Sequence, residues 1–143
     1  MKSSTGQETF AQFLQQHRAL KEVLARIECV LAEQSASIGE AADLLGRLGD
    51  QLVTHFAMEE ADGYFAEALM HAPQLVARAN DLLAQHPKMT HLARDLAGAE
   101  PGEAWWQETR ERFQAFLREL TRHERGEDQL LQEAYVRDLA AHD

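Results

Sequence analysis

The sequence predicts an all-α protein, an up-down-up-down four-helix bundle, and three observations carry that expectation. Strand signals are missing: no alternating runs of Val, Ile or Thr occur, and the chain has only three prolines. Ala, Leu, Glu, Gln and Arg, all good helix formers, dominate throughout. Apolar residues recur at three- and four-residue steps in four long segments, and the short connections between them make consecutive helices antiparallel neighbours.

The first helix opens at Thr5, where Thr5 and Glu8 match a capping box, and runs to about Gln34. Its apolar stripe is Phe10, Phe13, Leu14, Leu20, Leu24, Ile27 and Leu31. Ser35 to Gly39 reads as a connection. The second helix runs from about Glu40 to Met70, through Leu44, Leu45, Leu48, Leu52 and Met58. Gly46, Gly49 and Gly63 each weaken it by about 1 kcal/mol relative to Ala, and each suits a close helix approach or a local bulge.

His71-Ala72-Pro73 breaks that helix, and Pro73 suits the first turn of the third. The third helix carries Leu75, Val76, Leu82, Leu83, Met89, Leu92 and Leu96. Pro87 lies inside this pattern and predicts a kink or a short interruption. Ala97 to Ala104, with Gly98, Pro101 and Gly102, is the clearest loop, and the fourth helix follows from about Trp105 to Leu139.

At 143 residues the chain reads as one domain, residues 1–143, with enough length to bury a core. Its formal net charge is −10, from 24 acidic and 14 basic residues. That balance argues against nucleic acid or an anionic membrane surface as a partner. Cys29 is the single cysteine, so no disulfide forms within the chain, and its apolar neighbours suggest a packed core thiol. The N-terminal residues show no signal-peptide pattern and no run of 18 apolar residues occurs, so a cytoplasmic location is expected.

The chain has seven histidines, and they sort by what lies one turn away. Three residues before His17, His55, His86 and His123 stand Leu14, Leu52, Leu83 and Leu120. Residues three apart share a helix face, so these four histidines lie on core-facing stripes. Seven positions back the stripes continue with Phe10, Leu48, Ala79 and Phe116. His91, between Lys88 and Arg94, belongs to a solvated face, and His71 and His142 sit at a helix break and near the C-terminus.

The four histidines are also in register. Offsets of 69, 68 and 68 carry His17, His55 and Glu59 onto His86, His123 and Glu127, so the first helical hairpin is echoed by the second with pseudo-twofold symmetry. In both His55-x3-Glu59 and His123-x3-Glu127 the glutamate lies one turn along, on the face of its histidine. Burying two carboxylates beside imidazoles is costly unless positive charge sits between them, and metal ions supply it. Four imidazoles and two carboxylates without thiolate suit iron, manganese or zinc. Two octahedral ions offer about twelve positions. The histidines and two bridging carboxylates take eight of these, and a bridging oxygen two more, which leaves about two open.

These residues resemble the hemerythrin-like, or HHE cation-binding, domain family. His55-Phe56-Ala57-Met58-Glu59-Glu60 and Gln85-His86-Pro87 are similar to segments typical of its bacterial members, and the resemblance covers nearly the whole chain. It implies a four-helix bundle around two iron ions in an oxo- or hydroxo-bridged centre that meets O2, NO or peroxide, with manganese or zinc as alternatives. His17, His55, His86 and His123 would be terminal ligands, and Glu59 and Glu127 the bridges. Oxygen-carrying members have a further histidine four residues after the first in the third helix, where this chain has Thr90. His91 lies about 140° round the helix from His86 and is a poor substitute. The carriers' bridging aspartate corresponds to Asp128, but Glu127 keeps the symmetric spacing. The four-histidine set looks more like the family's iron–sulfur-repair and sensor branches.

A ferritin-like site is excluded, because no histidine here has a glutamate three residues before it. Gln51 and Glu119, each four residues before a ligand histidine, are candidates to accept the spare ring N–H. Trp105 and Trp106 fit core packing at a helix start, with an access path as the alternative, and Tyr64 is a candidate redox or hydrogen-bonding residue. Three functions stay open: binding or sensing of a small ligand; a di-iron oxidoreductase of oxidase, peroxidase or NO reductase type, with a redox partner; and iron storage or a structural metal. Thr90 opens the second metal and favours reactivity over reversible carriage.

Overall fold

The computed structural model describes residues 6–61, 69–70 and 72–141. All regular structure among them is helical: α1 (Gly6–Glu33), α2 (Ile38–Ala61), a 3-10 turn (Pro73–Leu75) leading into α3 (Val76–Leu83), α4 (His86–Arg94) and α5 (Trp105–Ala141). α1 packs against α2 and α5, α4 packs against α2 and α5, and α3 packs against α5, an arrangement consistent with a helical bundle.

Local chemistry explains the boundaries. α1 stops where Gln34 takes a left-handed backbone, φ 50°, which ends a helix by turning its last carbonyls away from the axis. α2 begins two residues earlier than the stripe of leucines suggests, because Ser37 caps it. The Glu40 backbone N–H donates to Ser37 Oγ at 3.1 Å, and that hydroxyl donates to Glu40 Oε1, also at 3.1 Å. The expected continuation of α2 to Met70 runs through residues outside the described set, as do Thr5, Gly63, Tyr64, His71 and His142.

Pro73 opens the 3-10 turn, where its missing N–H has no partner to lose. Pro87 acts more strongly than a kink. The helix is interrupted at Ala84–Gln85 and restarts at His86, with Pro87 in its first turn. Two arginines of α5 tie down earlier segment ends: Arg110 donates to the Leu31 carbonyl at 3.2 Å and Arg112 to the Asp95 carbonyl at 3.0 Å.

The apolar interior has two parts. The larger joins Leu20 to Leu31 of α1, Ala41 to Phe56 of α2, Met89 to Leu96, and Trp105 to Leu120 of α5. The smaller joins Leu75, Ala79 and Leu82 to Leu130, Leu131 and Ala134. Along α5 the gap between them falls at residues 121–129, the turns that carry His123 and Glu127.

Three expectations are corrected. Cys29 is exposed, not packed in the core. It lies two residues, about 200° of helix, from both Ile27 and Leu31, which face inward, so it points outward. Leu14 is also exposed, and Leu83 is only half-buried while Leu82 takes the core position. Trp105 is buried in the large core, with Trp106 edge-on to it at 5.1 Å, so this pair is packing at a helix start. No helix among the described residues is long and apolar enough to cross a membrane.

Gly46 makes no close approach, since an added Cβ would meet nothing within 4 Å. Gly126 does: a Cβ there would come within 2.8 Å of Leu82 Cδ2, which packs α3 onto α5. Gly46→Ala is therefore expected to stabilise the protein by up to about 1 kcal/mol in urea or thermal melts. Gly126→Ala should fall short of that gain because Leu82 must move. Equal gains would mean that the α3–α5 contact is looser than described.

Candidate metal centre

The six residues singled out by the repeat come together. His55 and Glu59 share a face of α2, and His123 and Glu127 a face of α5, because each pair is one turn apart. His17 continues the inward stripe of α1 ahead of Leu20 and Leu24. His86 is placed by the helix break, since the chain turns at Ala84–Gln85 and presents the first residue of α4 to the interior. All six are buried, Glu59 to 2 % and Glu127 to 0 % exposure.

Each histidine turns its Nε2 toward the two carboxylates. His17 Nε2 is 3.3 Å from Glu127 Oε1 and 3.8 Å from Glu59 Oε2, and His55 Nε2 is 3.6 Å from the same Glu59 oxygen. His86 Nε2 lies 3.3 Å from Glu59 Oε1 and 3.3 Å from Glu127 Oε2, while His123 Nε2 is 3.0 Å from Glu127 Oε2. Two overlapping sets result: His17, His55, Glu59 and Glu127, and Glu59, His86, His123 and Glu127. In each set the offered ligand atoms lie within 4.8 Å of one another. Both glutamates belong to both sets.

Three of the four rings are held from behind. His17 Nδ1–H donates to Asp128 Oδ1 at 2.9 Å, His86 Nδ1–H to Glu60 Oε2 at 2.8 Å, and His123 Nδ1–H to Gln85 Oε1 at 2.8 Å. A ring whose outer nitrogen donates presents its other nitrogen as the ligand, with the orientation fixed and the basicity raised. These acceptors replace the expected ones. Gln51 is exposed, and Glu119 sits beside Arg122 at 4.0 Å.

Asp128 thus works on the outer side of His17, while Glu127 is the residue that faces the cluster. His91 is exposed and pairs with Asp95 at 3.2 Å, away from the site, and Thr90 is half-buried. Two of the three acceptors had a signal in the repeat: Glu60 follows Glu59 as Asp128 follows Glu127, again 68 positions apart. Phe56 was also missed. Its ring stacks on His86 at 3.9 Å, nearly parallel at 5°, and meets His123 at 5.7 Å edge-on.

The electrostatics show what the cluster lacks. Burial works against a charge on His17, yet Asp128, Glu127 and Glu59 outweigh it and push the pKa up to about 11. His86 is opposed by burial in the same way and is raised to about 10 by Glu127, Glu59 and Glu60. His55 is lowered, chiefly by burial. Burial opposes the charge of Glu127 as well, but the ring nitrogens of His123, His17 and His86 beside it hold its carboxyl well below the usual range.

Even so, both oxygens of Glu59, Oε1 of Glu127 and the Nε2 atoms of His55 and His123 are buried without an aligned hydrogen bond. Leaving such groups unpaired is costly. Nitrogen and carboxylate donors aimed at one another across less than 5 Å, and otherwise unsatisfied, fit a bound cation.

The family model described as the Hemerythrin HHE cation binding domain matches residues 9–140. The chain belongs to that family. No curated protein and no solved structure gives a significant match. Membership in the hemerythrin HHE family implies cation binding, and the buried His/Glu cluster is where this chain could hold the metal.

If His17 and His86 are ligands, a cation entering this HHE domain must displace their protons, since both pKa values are raised far above neutrality. Uptake at pH 7 is expected to release about two protons per chain. Affinity should therefore rise with pH throughout the range below about 10, and acidification should drive the metal out. Calorimetry in two buffers of different ionisation enthalpy measures the release. Uptake without protons, or an affinity that does not change with pH, would count against histidine ligation.

Proposed function

We propose that the domain holds two iron ions, with His17, His55, His86 and His123 as terminal ligands and Glu59 and Glu127 as bridges, and that the centre reacts with or senses O2, NO or peroxide. The observation that carries this reading is the sharing of both glutamates by the two four-residue sets, since one cation in either set would leave two of the four histidines unused. Manganese or zinc would suit the same donors, and iron is preferred on the family's chemistry. Iron so held supplies one-electron redox chemistry and coordination positions for a small ligand.

The chain's own residues set the conditions. Asp128, Glu60 and Gln85 fix three imidazoles with Nε2 inward, so the ligand geometry is set before a cation arrives. Phe56 and the two apolar clusters keep bulk water from the buried carboxylates. Thr90 stands where carriers have another histidine, which leaves the His86–His123 side with fewer protein donors and favours reaction over reversible carriage.

We read residues 1–143 as a single up-down-up-down bundle with pseudo-twofold symmetry. The apolar residues of the large core follow the site in α1 and α4 but precede it in α2 and α5, which supports alternating helix directions. Each four-residue set takes its two histidines from one half of the repeat, which supports the duplication.

Aerobically purified protein is expected to carry two irons per chain and to show the visible charge-transfer bands of a bridged ferric pair. A colourless, metal-free and fully folded protein would overturn the proposal. His86→Ala should lower metal content severely and His91→Ala should not. Equal effects in metal analysis would mean that the ligand assignment in α4 is wrong.

A further inference from the structure

One buried carboxylate beside the cluster has no part in the six-residue set. Glu124 follows His123 on α5, is only 4 % exposed, and places its Oε2 3.8 Å from His17 Nε2. That oxygen has no hydrogen-bond partner among the described residues. Lys21 lines the same surface groove of about 330 Å³, yet makes no hydrogen bond to it. A carboxylate oxygen buried without a hydrogen bond and 3.8 Å from an imidazole nitrogen fits a cation held between the two.

The repeat shows that this is an asymmetry. The offset of 68 that carries His55 onto His123 carries Phe56 onto Glu124. Phe56 lies flat on His86, the first histidine of the second half, at 3.9 Å. Glu124 approaches His17, the first histidine of the other half, from the corresponding position on α5. One half of the centre is therefore closed by an aromatic ring where the other receives an acid.

We propose that Glu124 is a seventh protein ligand, given to the cation on the His17–His55 side, so that the two metal positions differ. This rests on the two-cation reading above. The His17–His55 position then has two imidazoles and three carboxylates, two of them shared. The His86–His123 position has two imidazoles, the two shared carboxylates, and Phe56 against its ring. Carboxylate oxygen suits hard cations, and added negative charge strengthens their binding, so the His17–His55 position fills first and holds its ion longer. Exchange and small-ligand entry fall to the His86–His123 position.

Titration of the full chain, stripped of metal, with cobalt(II) tests this, because the visible absorption of cobalt(II) intensifies as coordination number falls. Wild type is expected to bind two ions in separable steps. Glu124→Gln, nearly isosteric, should weaken the tighter step by roughly 10- to 100-fold, at least what loss of an outer hydrogen-bond partner costs, and leave the weaker step in place. Its absorption per ion should rise. Glu124→Asp keeps the charge and nearly the volume but withdraws the oxygens by one methylene, and should weaken the same step. Unchanged steps and spectrum in Glu124→Gln would overturn the assignment. So would an Asp variant indistinguishable from wild type, since the carboxylate would then act by charge alone. A folded wild type that binds no cobalt would remove the two-cation reading itself, and this inference with it.

Discussion

Two carboxylates, Glu59 and Glu127, are buried at the centre of a helical protein among the imidazoles of His17, His55, His86 and His123. That arrangement is the constraint on which the rest depends. An unpaired buried carboxylate costs several kcal/mol, a large part of the net stability of a domain this size. Protonated His17 and His86 offset part of the cost but are themselves buried charges. Cations between the carboxylates relieve both penalties, since the histidines then serve as neutral donors. On the proposed ligand set, folding and metal loading are coupled through the same six side chains.

The rest of the molecule makes such a layer tolerable. Packed leucines and aromatic rings fill the larger core on one side of it, and a smaller cluster from α3 and the end of α5 fills the other. Burial in these two regions provides the stabilisation against which the polar layer is a local cost. The helix break at Ala84–Gln85 belongs to the same design. Pro87 cannot donate a backbone hydrogen bond, so the chain restarts there, and His86 enters the interior from a helix start.

Orientation of three of the histidines comes from side chains bonded to their outer nitrogens. Asp128, Glu60 and Gln85 each belong to a different helix or turn from the histidine they hold. The bonds from His17 to Asp128 and from His86 to Glu60 cross between the two halves of the repeat, so ligand geometry and helix packing support each other. The 68-residue echo in the sequence ends at Phe56 and Glu124, an apolar ring and an acid at matching positions.

The sequence by itself determined the helical class and the inward set of histidines and glutamates. The physical reason is that a helix repeats every 3.6 residues, so a step of three or four fixes a shared face without reference to any other part of the chain. The 68-residue echo then joined separate faces into one candidate site. Only the tertiary structure decided what depends on the rotation and depth of neighbouring helices. Asp128 turns outward to His17 while Glu127 turns inward, one residue and about 100° apart. Leu14 lies at the exposed margin of a stripe that looks continuous on paper, Cys29 points away from it, and Glu124 reaches the cluster from beside it. Periodicity names a face, but the width of that face and what meets it are set by the partner helices.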